Sequence, residues 1–207
     1  MQKDKMNKLK NKRNGFTLVE TLFGISIFIL ICLVLTLLAR NIWKYNSFIS
    51  LGLTNSDNIR PVLKTMTAEI RTASSANTGA YTISEANSTS FIFYSDIDDN
   101  ELKERVRYFL NGNLLQRGIT VPTGSPLIYN LATEKINTLL TDVTSSLIFD
   151  YYNSSYDGTT APLPSPIDIA AIRLIKITVV VDKDLNNPPA AVTFSTQISI
   201  RNLKDNL

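Results

Sequence analysis

Residues 22–39 carry no charged side chain, and their only hydroxyl groups are those of Ser26 and Thr36. A run of this length is long enough to cross a hydrocarbon core as a helix. Glu20 stands at its very start. A carboxylate near the centre of a bilayer costs roughly 2.5–3.5 kcal/mol, and less near the edge. An anchor gains nothing from such a group, so Glu20 is expected to have a partner.

The flanking residues set direction. Residues 1–14 hold Lys3, Lys5, Lys8, Lys10, Lys12 and Arg13 against Asp4 alone. A basic segment of this kind stays on the cytoplasmic side. A secretory signal peptide would place a small-residue cleavage site after the apolar run. Here no good Ala-x-Ala site follows, and the small residue, Gly15, precedes the run.

Basic leader, Gly15, Phe16-Thr17-Leu18-Val19-Glu20 and an apolar helix together resemble the type IV prepilin (class III) signal of pilins and pseudopilins. The resemblance covers residues 8–40. It implies cleavage after Gly15 by a prepilin peptidase, N-methylation of the new amino terminus at Phe16, and a role for Glu20 in the register of assembled subunits. The implied partners are other pilin or pseudopilin subunits, the prepilin peptidase/methyltransferase, an inner-membrane assembly platform, and lipid before assembly. The implied location is the cytoplasmic membrane, single-pass, with the amino terminus inside and the carboxy-terminal domain outside, and then a pilus or pseudopilus.

Charge and residue usage exclude several classes. Removing residues 1–15 takes away six of 21 basic and one of 18 acidic residues, leaving 15 against 17, or −2. That balance gives no electrostatic footprint for nucleic acid. Cys32 is the only cysteine and lies in the apolar run, so no intrachain disulfide forms. The absence of histidine excludes His-based triads and most zinc sites.

Four segments follow: 1–15 a leader, 16–45 a membrane or filament-core helix, 46–78 an amphipathic helix, and 79–207 a β-rich domain. Arg40, Trp43, Lys44 and Tyr45 make a basic and aromatic border for the membrane helix. Ile59, Val62, Leu63, Met66 and Ile70 form a helical stripe suited to packing on a sheet. Between the two helical parts, residues 52–58 are poor helix formers. Either the helix bends near Pro61 or it restarts with Asp57 as N-cap. A kinked or locally unwound helix is expected.

Strands are expected at 81–84, 90–94, 104–110, 114–117, 147–152, 172–182 and 191–201, with a hairpin turn at Asn111-Gly112-Asn113. Residues 132–140 read as a short helix or turn, 153–168 as an exposed proline-rich loop, and 182–189 as a turn. The fold class is α+β: a long amino-terminal helix packed by its second half on an antiparallel sheet. The later segments Glu69-Ile70-Arg71, Arg105-Val106-Arg107-Tyr108-Phe109-Leu110, Leu114-Leu115-Gln116-Arg117 and the stretch 194–202 also resemble the J-type minor pseudopilins of type II secretion and related minor pilins.

Asp96, Asp98 and Asn100 stand at alternate positions, as in a calcium loop, but the glycine expected at the sixth position and the distant glutamate are missing. The neighbouring strands make a solvated hairpin turn the better reading, with a calcium ion as the alternative. Asn87-Ser88-Thr89 and Asn153-Ser154-Ser155 fit the glycosylation pattern, and Asp142 and Asp150 are read as turn and surface acids. The expected function is a non-catalytic prepilin-type subunit, a minor pilin or minor pseudopilin. The alternatives are a DNA-uptake or adhesion pilin and a signal-anchored exported enzyme.

Overall fold

The computed structural model describes residues 15–182 and 191–203; the side chains at 41 and 43–57 lie outside that description. The expected leader therefore falls outside the described residues up to residue 14, as does nearly all of the turn expected at 182–189. The side chains of the border at Trp43, Lys44 and Tyr45 do so too. The chain divides into two compact units, Met1–Ser47 and Phe48–Leu207.

Helix α1 spans Leu18–Arg71 and enters both units. Thr17 starts it. The Thr17 hydroxyl accepts from the Glu20 amide at 3.3 Å, and the Thr17 carbonyl accepts from Thr21 N–H at 3.1 Å. In the first unit every side chain from residue 15 to residue 40 is exposed.

The backbone stays helical through Gly52, Asp57 and Pro61. The expected unwinding is absent, and no second helix begins at Asp57. Propensity is a weak preference that tertiary burial overrides, and the stripe just beyond is held firmly. Ile59, Leu63, Met66 and Ile70 are buried, with Val62 partly buried, in one apolar cluster with residues of the sheets.

The rest of the second unit is antiparallel β. Strands β1 (Ile83–Ala86), β2 (Ser90–Ser95), β3 (Glu104–Asn111), β4 (Leu114–Thr120) and β5 (Lys135–Leu140) form one sheet in sequence order. Strands β6 (Phe149–Tyr152), β7 (Leu174–Val181) and β8 (Val192–Ser199) form a second. There are thus two sheets where one was expected. The stretch read as a short helix or turn keeps only a 3₁₀ turn at Leu131–Thr133 and then becomes β5. The cause is β4, whose far edge would otherwise leave its amides and carbonyls unpaired. Leu115 pairs with Leu140 and Gln116 with Thr138 along that edge.

Alternation decides what is buried. Val106 and Tyr108 in β3, and Ile175, Ile177, Val179 and Val181 in β7, point inward. The two sheets meet at Phe91, whose ring lies 5.9 Å from Phe149 and 5.8 Å from Tyr151. The β1–β2 turn secures this joint. Ser88 C=O accepts from both Ile148 and Phe149 amides, and Tyr151 donates to Asn87 C=O at 2.9 Å. The start of the glycosylation-like motif at Asn87 therefore serves as a structural corner.

Candidate functional site

Two places carry chemistry. The first is the start of α1. Thr17-Leu18-Val19-Glu20 has the Ser/Thr-x-x-Glu spacing of a capping box, and the Thr17–Glu20 amide bond is half of that motif. Glu20 is an expected site residue and Thr17 is not, although the spacing announces it. An acid in the first turn also meets the positive end of the helix dipole. Gly15 and Phe16 precede the helix, outside regular secondary structure and exposed.

The hydroxyls of the apolar stretch are satisfied locally. Thr21 donates to Leu18 C=O at 2.9 Å, Ser26 to Phe23 C=O at 2.8 Å and Thr36 to Cys32 C=O at 2.7 Å. With those bonds made, the three hydroxyls cost little in an apolar medium. Among the described residues from Leu18 to Arg40, Glu20 is the only acid. The helix there is long and apolar enough to cross a membrane, by length and composition.

The second place is the turn between β2 and β3. Asp96 Oδ1 accepts from the Asn100 amide at 3.1 Å and Asp96 Oδ2 from the Glu101 amide at 2.9 Å. Asn100 is engaged at both ends of its own amide group, donating to Asp98 at 2.9 Å and accepting from Leu102 N–H at 2.8 Å. Glu101, sixth from Asp96, has φ +70°, the backbone state for which a calcium loop uses glycine. Asn77 ties the turn down through bonds to Glu101 C=O and Lys103 N–H.

Glu104, at the start of β3, is not among the site residues expected from the sequence. It shares the strand phase of Val106 and Tyr108 and is 1% exposed. An acid in the buried phase of a strand was the available signal. Its Oε2 accepts from Ile97 N–H at 3.0 Å, while its Oε1 is buried without a hydrogen-bond partner. Burial raises its pKa, the Ile97 bond opposes that, and Asp98 and Asp96 add to it. One carboxylate oxygen from each of Asp96, Asp98 and Glu104 lies within 4.8 Å of the others. The other acids stand elsewhere: Asp142 in the turn after β5 and Asp150 in β6 opposite Lys176.

No protein-family model and no curated protein matches this chain. Its function rests on its own residues.

Proposed function

We propose that this chain is a prepilin-type structural subunit, a minor pilin or minor pseudopilin without catalytic activity, processed after Gly15 and assembled through residues 16–45 into a filament. The observation that carries the reading is Glu20: a lone acid on an exposed apolar helix, five residues after a glycine that ends a basic leader.

The mechanism follows from charge. Cleavage between Gly15 and Phe16 frees a positive amine at the lip of the apolar helix. Within one chain that amine and Glu20 stand about one helical turn apart. In a staggered neighbour the amine can meet this Glu20 instead, and the pairing lowers the cost of both charges where the dielectric is low. The energy depends on stagger, so the pair selects one register. The helices then leave lipid for a shared core, where packing is the main attraction. Thr17 keeps the first turn wound so that Glu20 stays at a fixed height.

Intact mass of the membrane-extracted chain tests processing: it should begin at Phe16 and carry one added methyl group. A bulky residue at Gly15 should leave the leader attached. Glu20→Ala should insert and be cleaved normally yet incorporate poorly into filaments. A chain retaining Met1, or full incorporation of Glu20→Ala, overturns the reading.

A further inference from the structure

We propose that the groove between the second half of α1 and the free edge of β8 receives an extended acidic segment of a partner protein. The segment adds to β8 as a further strand and sets its carboxylates against α1. The inference concerns the second unit alone and does not rest on the filament reading.

Two observations carry it. The first is an open edge. β8 pairs with β7 on one side, and among the described residues no backbone bond joins Val192–Ser199 to a segment on the other. About half of the amides and carbonyls of such a strand point away from its sheet and form a template for another strand. Between this edge and α1 lie two adjoining hollows of about 710 and 700 Å³, which share Thr67 and Arg71. Phe194 of β8, half-buried, lines one of them, with the Arg60 guanidinium 5.8 Å from the centre of its ring.

The second observation is charge. Arg60, Lys64, Arg71 and Arg201 line the two hollows, and no acid does. All four are exposed, and among the described residues none is in an ion pair. Glu69, on the same helix, is engaged by Arg117 of β4. An anionic occupant relieves the repulsion among these cations, and complementary charge selects it over others. Spacing favours an extended chain. Arg60 and Lys64 stand about 6 Å apart along the helix axis, and alternate side chains of a strand stand about 6.6 Å apart. A strand beside β8 directs every second side chain to the face of Phe194 and Ile198, which belong to the same apolar cluster as the α1 stripe. Acids at those positions meet the helix cations while the backbone meets β8. In strand addition of this kind, main-chain bonds give affinity and alternate side chains give specificity. A nucleic-acid duplex has no strand edge to offer. Pairing with the β8 of a second copy would set the cations against their own kind.

The test uses the full chain in a non-ionic detergent and a capped, fluorescently labelled peptide of about eight residues, alternating valine and aspartate. Binding is followed by anisotropy at about 50 mM salt. Wild type should bind this peptide at least about tenfold tighter than its counterpart with asparagine for aspartate. Arg71→Glu and Lys64→Glu should each weaken binding at least about fivefold. Lys135→Glu, an equally exposed reversal on β5, should change it no more than about twofold. Should Arg71→Glu not fold, Lys64→Glu decides the matter. Methylation of alternate peptide nitrogens separates strand addition from adsorption of charge. Methylating every valine blocks one edge of the extended peptide, and methylating every aspartate blocks the other. One of these peptides should lose at least about tenfold in affinity and the other no more than about threefold. An equal effect of the two methylations would overturn the proposal. So would equal binding of the asparagine peptide, equal losses in Lys135→Glu and Lys64→Glu, or no binding of the acidic peptide up to about 1 mM.

Discussion

Glu69 joins the helix to the first sheet with a charge. It ion-pairs with Arg117 of β4 at 2.9 Å and accepts a short hydrogen bond from the Tyr108 hydroxyl of β3. Burial raises its pKa above 4.5, and the Tyr108 bond and the Arg117 charge oppose that without cancelling it. A carboxyl with a raised folded pKa holds its proton more tightly folded than unfolded. Its contribution to stability is complete below pH 4.5 and is lost as pH rises through the folded value. Wild type should therefore lose stability relative to Glu69→Gln between pH 4.5 and neutrality, measured by denaturant unfolding at both ends. An unchanged difference would contradict the assignment. Arg117→Met should be worse than Glu69→Gln at pH 7, because it strands the carboxylate. Full burial would make that loss about 3–5 kcal/mol, and the partial exposure of this pair reduces it to about 2–3 kcal/mol.

At the scale of elements, β4 records a close approach. A Cβ at Gly118 would stand on the Glu134 carboxylate, which forms a two-pronged bond with Arg107 of β3. Arg107 in turn covers the Phe109 ring at 3.9 Å. Gly118→Ala should push Glu134 off its partner and cost about 1–2 kcal/mol. The same change in a Glu134→Ala background should cost markedly less, and a double-mutant cycle in denaturant measures the difference. Equal costs in both backgrounds would show that the two positions are not coupled.

How far the sequence could be read differs by element. Alternation in β7 and β8 and the Asn111-Gly112-Asn113 turn gave their strands, because a half-buried strand writes its phase into every second residue. Residues 135–140 carry Ile136, Leu139 and Leu140 in no clean period, so only the open edge of β4 could assign them. The split into two sheets was equally hidden, since it depends on Ser88 C=O meeting Ile148 and Phe149, a contact with no local signature. At the candidate sites, Gly15, Phe16 and Glu20 stand in consecutive context and could be named directly. Glu104 is separated from Asp96 by a turn whose path, through φ +62° at Asp99 and +70° at Glu101, no residue type there announces.

For the molecule as a whole, the division between Ser47 and Phe48 separates two kinds of stability. Among the described residues every member of the apolar core cluster lies between Ile59 and Leu203, and none comes from the first unit. The exposed apolar side chains of residues 16–38, by contrast, gain nothing from water and need lipid or other helices around them. A chain begun at Phe48 should therefore keep its fold while losing its membrane partition. It keeps the buried helical stripe, the Glu69–Arg117 pair and both sheets, and the described side chains that it drops, 15–40 and 42, are all exposed. Such a fragment should be recovered in the aqueous fraction and should unfold cooperatively within about 3 °C of the detergent-solubilised full chain, followed by circular dichroism. The full chain should stay with membranes after a high-salt wash, since its retention is apolar rather than electrostatic. Loss of cooperative unfolding in the fragment would mean that the first unit supports the second. Release of the full chain by salt would mean that residues 18–40 do not lie in the hydrocarbon layer.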